Sequence, residues 1–152
     1  MDIQELANVF QAKFNVEGIE IKDGACVLKI DDHEVDFEET ADGSAIVVTG
    51  LLGETPNERP DVFLGMLLGA NMEMMAGDAL AFAQLPDGGG IVLVWRAASS
   101  LDADAFCKGL EEFVNTIERW ETVIADYRPA AAAAEELDAA PPPPASPGFM
   151  LV

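Results

Sequence analysis

The stretch "ALAFAQLPDGGGIVLVWRA", residues 79–97, carries two apolar runs separated by a proline and three glycines. Apolar runs of about four to eight residues are typical of β-strands, and a Pro/Gly-rich segment between two of them is typical of a turn. The pattern therefore predicts strands at 79–85 and 91–97, joined by a turn at 86–90. The second strand is apolar on both faces.

A long helix is predicted directly after this hairpin. Ser99 or Ser100 is expected to cap its start, because a serine side chain can accept a hydrogen bond from the first turn. Pro129 is expected to stop it, because proline cannot continue a helix. The apolar residues between these limits recur at steps of three and four, which places them along one face. They are Phe106, Leu110, Phe113, Ile117, Trp120, Ile124 and Tyr127.

The segment before the hairpin, residues 62–83, is unusually apolar for so acidic a chain. A membrane span is not expected, because Glu73 and Asp78 lie inside the segment and acidic residues make insertion costly. Pro60 suits the first turn of a helix. The segment therefore predicts a helix at about 61–73, then a turn, then the first strand of the hairpin.

The first half of the chain predicts one helix and three strands. Ile3, Leu6, Phe10 and Phe14 share one helix face. The strands are expected at 25–31, 34–39 and 44–52; the first two alternate in polarity, whereas the third is apolar on both faces and is expected to be covered. Short turns between strands favour antiparallel pairing. The fold class is therefore α+β, a mostly antiparallel five-stranded sheet with three helices in the order α-β-β-β-α-β-β-α.

The sequence is strongly acidic, with a formal net charge of −20. Before Pro129 there are 25 acidic and 8 basic residues, a net charge of −17, so the charge belongs to the predicted domain. Such a surface repels nucleic acid and anionic lipid, and we expect neither as a partner. Cys26 and Cys107 form neither a disulfide framework nor a metal site, and they are expected to be reduced and buried in a cytoplasmic protein.

No catalytic or metal-binding constellation is evident in the sequence. His33, the only histidine, lies in "DDHE" (31–34), which is predicted to be a solvated turn whose four adjacent side chains do not converge on one ion. No phosphate-binding loop is present, and "DGGG" (87–90) is typical of a tight turn. We therefore expect no enzyme activity, no cofactor and no metal.

From Pro129 onward the composition becomes rich in alanine and proline. Such a segment cannot bury enough apolar surface to fold, so we expect a domain at 1–128 and a disordered tail at 129–152. One hypothesis is that an apolar quartet in this tail plugs the protein's own binding groove at high effective concentration. The alternative is a frayed terminus. The quartet consists of Phe149, Met150, Leu151 and Val152.

Several segments, taken in order, resemble the class I type III secretion chaperones, the Tir-chaperone-like family. "DGACVLKID" (23–31) resembles that family's first strand, and "VTGLLGETP" (48–56) resembles its third strand and the turn that follows. "LLGANM" (67–72) resembles the second helix, and residues 77–120 resemble the last two strands and the final helix. The resemblance covers residues 1–127. The Ala/Pro-rich tail departs from it, since the family does not require one.

The resemblance implies a homodimer in the bacterial cytoplasm. It implies binding of the N-terminal segment of a secreted effector in an extended, non-globular state, which keeps that segment soluble and competent for secretion. The secretion ATPase is a further candidate partner. The alternative function is a chaperone-fold adaptor that binds a folded regulatory partner.

The resemblance also assigns two sets of apolar residues, for which packing in the monomer core is the alternative. The dimer interface is expected on the second helix and the strand after it, at Val62, Phe63, Met66, Leu67, Ala70, Met74, Leu80 and Phe82. The client grooves are expected to be lined by the first helix and the first strands, at Leu6, Phe10, Phe14, Leu28, Ile30, Val35 and Phe37.

Overall fold

The structure is a computed structural model that describes residues 1–14, 16, 18–77 and 79–129. The expected tail from residue 130 onward, with its apolar quartet, lies outside the described residues. The element order predicted from the sequence is confirmed. It is α1 (Ile3–Phe14), β1 (Ala25–Ile30), β2 (His33–Glu39), β3 (Ala45–Glu54), α2 (Pro60–Gly77), β4 (Leu80–Gln84), β5 (Gly90–Ala98) and α3 (Ala103–Ala125).

The five strands form one antiparallel sheet in the order β1-β2-β3-β5-β4. The register aligns Leu28 with Val35, Val35 with Gly50, and Gly50 with Leu93. Because side chains alternate along a strand, this row and its neighbours two residues away share one face, which carries the core. β1 and β4 are the two edges of the sheet.

Helices α1 and α3 pack on that core face. Phe10 of α1 meets Phe37 with ring centroids 5.6 Å apart. Two glycines let α3 lie close to the sheet: a side chain at Gly50 would collide with Ile117, and a Cβ at Gly109 would lie 2.5 Å from the Trp95 ring. The predicted apolar stripe of α3 therefore faces the sheet, with Phe106, Leu110, Phe113, Ile117 and Ile124 all buried.

Helix α2 lies against the β4 edge. Its Phe63 is buried and meets Tyr127, just beyond the end of α3, at a ring-centroid distance of 5.0 Å. The Asn71 side chain accepts a hydrogen bond from the Phe82 N–H at 2.6 Å and donates one to the Phe82 carbonyl at 3.2 Å. A side-chain amide thus takes the place of a neighbouring strand at this point of the edge. Among the helices of the described residues, none combines the length and apolarity needed to cross a bilayer.

The structure corrects the predicted cap of α3. Asp102, not Ser99 or Ser100, is the N-cap, and its side chain accepts a hydrogen bond from the Ala105 N–H at 2.8 Å. The reason is that β5 continues to Ala98 through its pairing with β3. Both serines therefore belong to the connection between strand and helix.

Two further predictions are wrong in detail. α2 continues to Gly77, beyond the expected end at about residue 73. The expectation that β3 is covered on both faces fails at Leu51, whose side chain is 55% exposed. α1 and α3 pack on the opposite face of the sheet, so the apolar outer positions of β3 are only partly covered by their neighbours within the sheet.

Candidate protein-binding surfaces

The edge of β1 is open for most of its length. Ala25 uses both of its backbone groups on Lys22, at 3.0 and 2.9 Å, on the side away from β2. Inward and outward groups alternate along an antiparallel strand, so Val27 and Lys29 also direct their N–H and C=O groups outward. Within the described residues, no backbone hydrogen bond reaches either of them from that side. Such an edge is a template for pairing with another strand.

A groove of about 930 Å³ lies beside this edge, which we call the β1 groove. The chain that precedes β1 borders it with Val16 and Ile19, and β1 contributes Val27, which is 57% exposed. Lys22 and Lys29 provide positive charge at its borders. Glu20, Asp36 and Glu38 also line it, so the β1 groove combines unpaired backbone groups and apolar side chains with charges of both signs.

Two titratable groups of the β1 groove, Asp36 and Cys26, have raised pKa values. Partial desolvation raises the pKa of Asp36, and the charge of the nearby Glu34 raises it further. Burial raises the pKa of the Cys26 thiol, so this cysteine stays protonated at neutral pH and is a poor nucleophile. No histidine is among the described residues that line the groove.

A second exposed apolar surface runs along α2, and we call it the α2 stripe. The helix is apolar around its whole circumference, with Asp61 and Glu73 as its only charged residues. One face packs inside through Phe63 and Leu67. The other leaves large apolar side chains between 39 and 80% exposed, which is unusual unless another surface covers them. The α2 stripe consists of Val62, Met66, Leu68, Met72 and Met75.

The residues predicted for the dimer interface divide between the two faces of α2 and the strand after it. Phe63, Leu67, Leu80 and Phe82 are buried within the single chain. Ala70 and Met74 are partly buried, and Val62 and Met66 are exposed. Sequence reasoning missed Leu68, Met72 and Met75. These three residues follow one another at steps of four and three, which places them on one side of the helix, but an all-apolar helix gives no signal for which face turns inward.

The residues predicted for the client grooves are mostly inside the core. Leu6, Phe10, Leu28, Val35 and Phe37 are buried, as the alternative expectation had it, although Leu28 and Phe37 also border the β1 groove. Their role in client binding stays a prediction.

The remaining two, Phe14 and Ile30, line a smaller groove of about 570 Å³ between α1 and α3. Phe14 is 56% exposed there. An ion pair between Lys13 and Asp104 ties the two helices together beside this groove.

The sequence predicted that His33 lies in a solvated turn, and this prediction is wrong. It begins β2 on the core side, and its side chain is 12% exposed. The His33 Nδ1 lies 3.3 Å from a carboxylate oxygen of Glu121, and Nε2 lies 3.9 Å from one of Glu118. In the ranges that the structure describes, no set of three or more side chains is arranged to hold a metal ion.

Comparison with known proteins places this fold. The Tir chaperone protein (CesT) family model matches residues 5–121. No curated protein matches the chain in sequence. A chain of the HopA1–SchA chaperone–effector complex is 12% identical over 78% of this chain and 92% of that chain, with a TM-score of 0.67.

Two further solved structures share the fold at low identity. One contains the Yersinia pestis type III secretion chaperone SycH in complex with a stable fragment of YscM2. Its matching chain is 16% identical over 76% of this chain and 97% of that chain, with a TM-score of 0.61. The other is the heterodimeric ExoU–SpcU complex of the type III secretion system of Pseudomonas aeruginosa. Its matching chain is 18% identical over 76% of this chain and 94% of that chain, with a TM-score of 0.60. The family match spans most of the chain and bears out the resemblance noted in the sequence: the chain belongs to the Tir chaperone protein (CesT) family.

Proposed function

We propose that the protein is a type III secretion chaperone that binds the N-terminal segment of a secreted effector in an extended state and keeps it soluble and competent for secretion. Membership of a chaperone family supports this function, as does the shared fold with a chaperone–effector complex. The observation that carries the proposal is the open β1 edge beside an apolar groove. The bacterial cytoplasm is the proposed compartment, and it suits the two free cysteines.

The β1 edge suits a client of variable sequence. A strand added at Val27 and Lys29 gains main-chain hydrogen bonds, which do not depend on side-chain identity. The apolar contacts of Val16, Ile19 and Val27 then select for apolar residues at alternate positions of the client. A client held in this way has its backbone paired and its apolar side chains covered, and both effects oppose aggregation.

The α2 stripe is the proposed contact with a second copy of the chain. An obligate dimer interface resembles a core cut in half, and five large apolar side chains on one helix have that character. Gly65 and Gly69 lie on the same helix with open space where a side chain would stand, so a partner helix could approach closely. The acidic surface opposes association beyond the dimer. The secretion ATPase remains a candidate partner without an assigned surface.

The test begins with a pull-down of the tagged chain from its native cytoplasm, followed by mass spectrometry and light-scattering mass of the eluate. The expected result is one dominant partner, at two chaperones per client, that aggregates when expressed alone. A partner that is soluble without the chain would favour the adaptor function instead.

A matched pair of variants tests the β1 edge. Val27→Pro removes one outward N–H, whereas Val27→Thr keeps both the N–H and the β-branched shape. Loss of this one main-chain hydrogen bond should lower client affinity by about two- to tenfold in Val27→Pro only. Circular dichroism and thermal unfolding establish that both variants fold. Equal client affinity in the two variants would remove the β1 edge from the proposal.

A further inference from the structure

The β1 groove has a candidate occupant within the same chain. We infer that residues 149–152 bind as a short added strand at Val27 and Lys29, and that a client must displace them. The competition with a client rests on the proposed function, but the contact itself needs no client. In the absence of a client, the protein would then cover the unpaired backbone groups of its own β1 edge.

The chemistry of the quartet suits this edge. Phe149, Met150, Leu151 and Val152 are all apolar, so a strand of these residues is apolar on both faces. Four residues are too few for a stable helix, whereas strand addition supplies main-chain hydrogen bonds from the edge itself. The β1 groove adds apolar contacts from the chain before β1 and from the exposed side chain of Val27.

The α2 stripe is the weaker site for the same quartet. The backbone groups of a helix are already paired internally, so α2 offers a four-residue segment only side-chain contacts. β1 offers unpaired N–H and C=O groups as well. The four side chains carry no charge, so Asp36 and Glu38 at the β1 groove do not repel them.

The chain is long enough to make this contact within one molecule. The last turn of α3 lies over the end of β3, since a Cβ at Gly53 would be 3.4 Å from Ile124. β3 is two strand spacings from β1, about 10 Å, and the helix layer adds roughly another 10 Å. Nineteen residues separate Pro129 from Phe149. An alanine- and proline-rich stretch of that length reaches about 60 Å.

Hydrogen exchange at single amides tests the contact without a client. Three proteins are compared: the full chain, a chain that ends at Pro129, and a full-length Phe149→Ser, Leu151→Ser variant that keeps the same tether. The Val27 and Lys29 amides should exchange about tenfold more slowly in the full chain, as for a segment of Kd about 0.1 mM at an effective concentration of about 1 mM. The Phe82 amide, on the opposite edge, serves as the reference and should not change.

Equal exchange of Val27 and Lys29 in all three proteins would overturn the inference. The measurement is repeated at a tenfold lower protein concentration. Protection that persists supports a contact within one molecule, and protection that disappears overturns it in favour of a contact between molecules.

A peptide of residues 146–152 in trans separates this inference from the proposed function. The labelled, amidated peptide should bind the chain that ends at Pro129 and should lose binding to its Val27→Pro form; the peptide with Phe149→Ser and Leu151→Ser should not bind. No peptide binding, with a client that still depends on Val27, overturns the tail contact alone. If the peptide binds but the affinity for the client is the same with and without Val27→Pro, the proposed client site is overturned and the tail contact is supported.

Discussion

The two edges of the sheet are treated in opposite ways. At β4 the Asn71 amide pairs with both backbone groups of Phe82, and α2 packs alongside. At β1 the backbone groups of Val27 and Lys29 face outward beside an apolar groove. Edge strands invite unwanted pairing, and proteins usually protect them. At β4 the Asn71 amide pairs only Phe82, and Leu80 and Gln84 share its register and also direct backbone groups outward. Because α2 packs beside β4, β1 is the more accessible edge for an incoming strand.

Helix α2 has two roles in this comparison. Its inner face packs against the β4 edge, and its outer face is the α2 stripe, the proposed contact with a second copy of the chain. Met72 is the most exposed member, at 80%. Met72→Glu should leave the folding of one chain nearly unchanged, since an exposed substitution usually changes stability by less than about 0.5 kcal/mol. It should separate the proposed dimer, because an unpaired buried charge costs about 3 kcal/mol or more.

Light-scattering mass and sedimentation over a range of concentrations would measure this largest effect. Met72→Leu is the matched control, since it keeps an apolar side chain of similar size, and it should remain dimeric. A Met72→Glu protein that stays dimeric would place the interface elsewhere and leave the exposure of the α2 stripe without an explanation.

The closed edge can be opened by Asn71→Ala. The substitution leaves the Phe82 N–H and C=O without their partner, and an unsatisfied buried pair of this kind costs about 1–3 kcal/mol. Denaturant unfolding would measure the loss, and hydrogen exchange at Phe82 should become faster. Asn115→Ala on the exposed side of α3 controls for removal of an asparagine from a helix.

The open-edge comparison also predicts a qualitative consequence of Asn71→Ala. The variant would have two unprotected edges, so it should aggregate more readily than the Asn115→Ala control during refolding. If the two variants unfold at the same denaturant concentration, the Asn71 amide does not stabilise the β4 edge.

Sequence patterns predicted the helices and strands better than they predicted which residues of each element are buried. The stripe of α3 and the alternation of β1 and β2 were sufficient, because each element has one apolar face and the period identifies it. α2 has no such contrast, and therefore Leu68 and Met72 could not be separated from Phe63 and Leu67. Burial there depends on which neighbours the fold supplies, and this is not a local property of the sequence.

Local sequence patterns also could not predict which strands lie at the edges of the sheet. β1 and β4 read as strands, but strand order arises from pairing across distant parts of the chain. In the sequence Asn71 is a single amide within an apolar block, and its hydrogen bonds with Phe82 depend on how the two elements pack. His33 was misjudged for the same reason, because Glu118 and Glu121 reach it from α3.

The smallest predicted effect concerns the carboxylate beside the open edge. The pKa of Asp36 is raised in the folded protein by desolvation and then by Glu34. The folded state therefore binds this proton more tightly than the unfolded state, and stability falls as pH rises from the unfolded pKa of 3.8 through the folded value. Asp36→Asn should be more stable than the natural protein at pH 7, by less than about 1 kcal/mol because the group is well solvated.

Asp42 provides a control of opposite sign. Hydrogen bonds from Ser44 and Thr40 lower its pKa to about 2, so its contribution is present above pH 3.8 and is lost as pH falls towards 2. Asp42→Asn should therefore destabilise at pH 7. Urea unfolding of both variants at pH 7 and below pH 4 checks the signs. The Asp36→Asn gain should vanish at low pH; a gain of equal size at both pH values would mean that the charge of Asp36 is not its cause, and that the open edge carries no electrostatic cost.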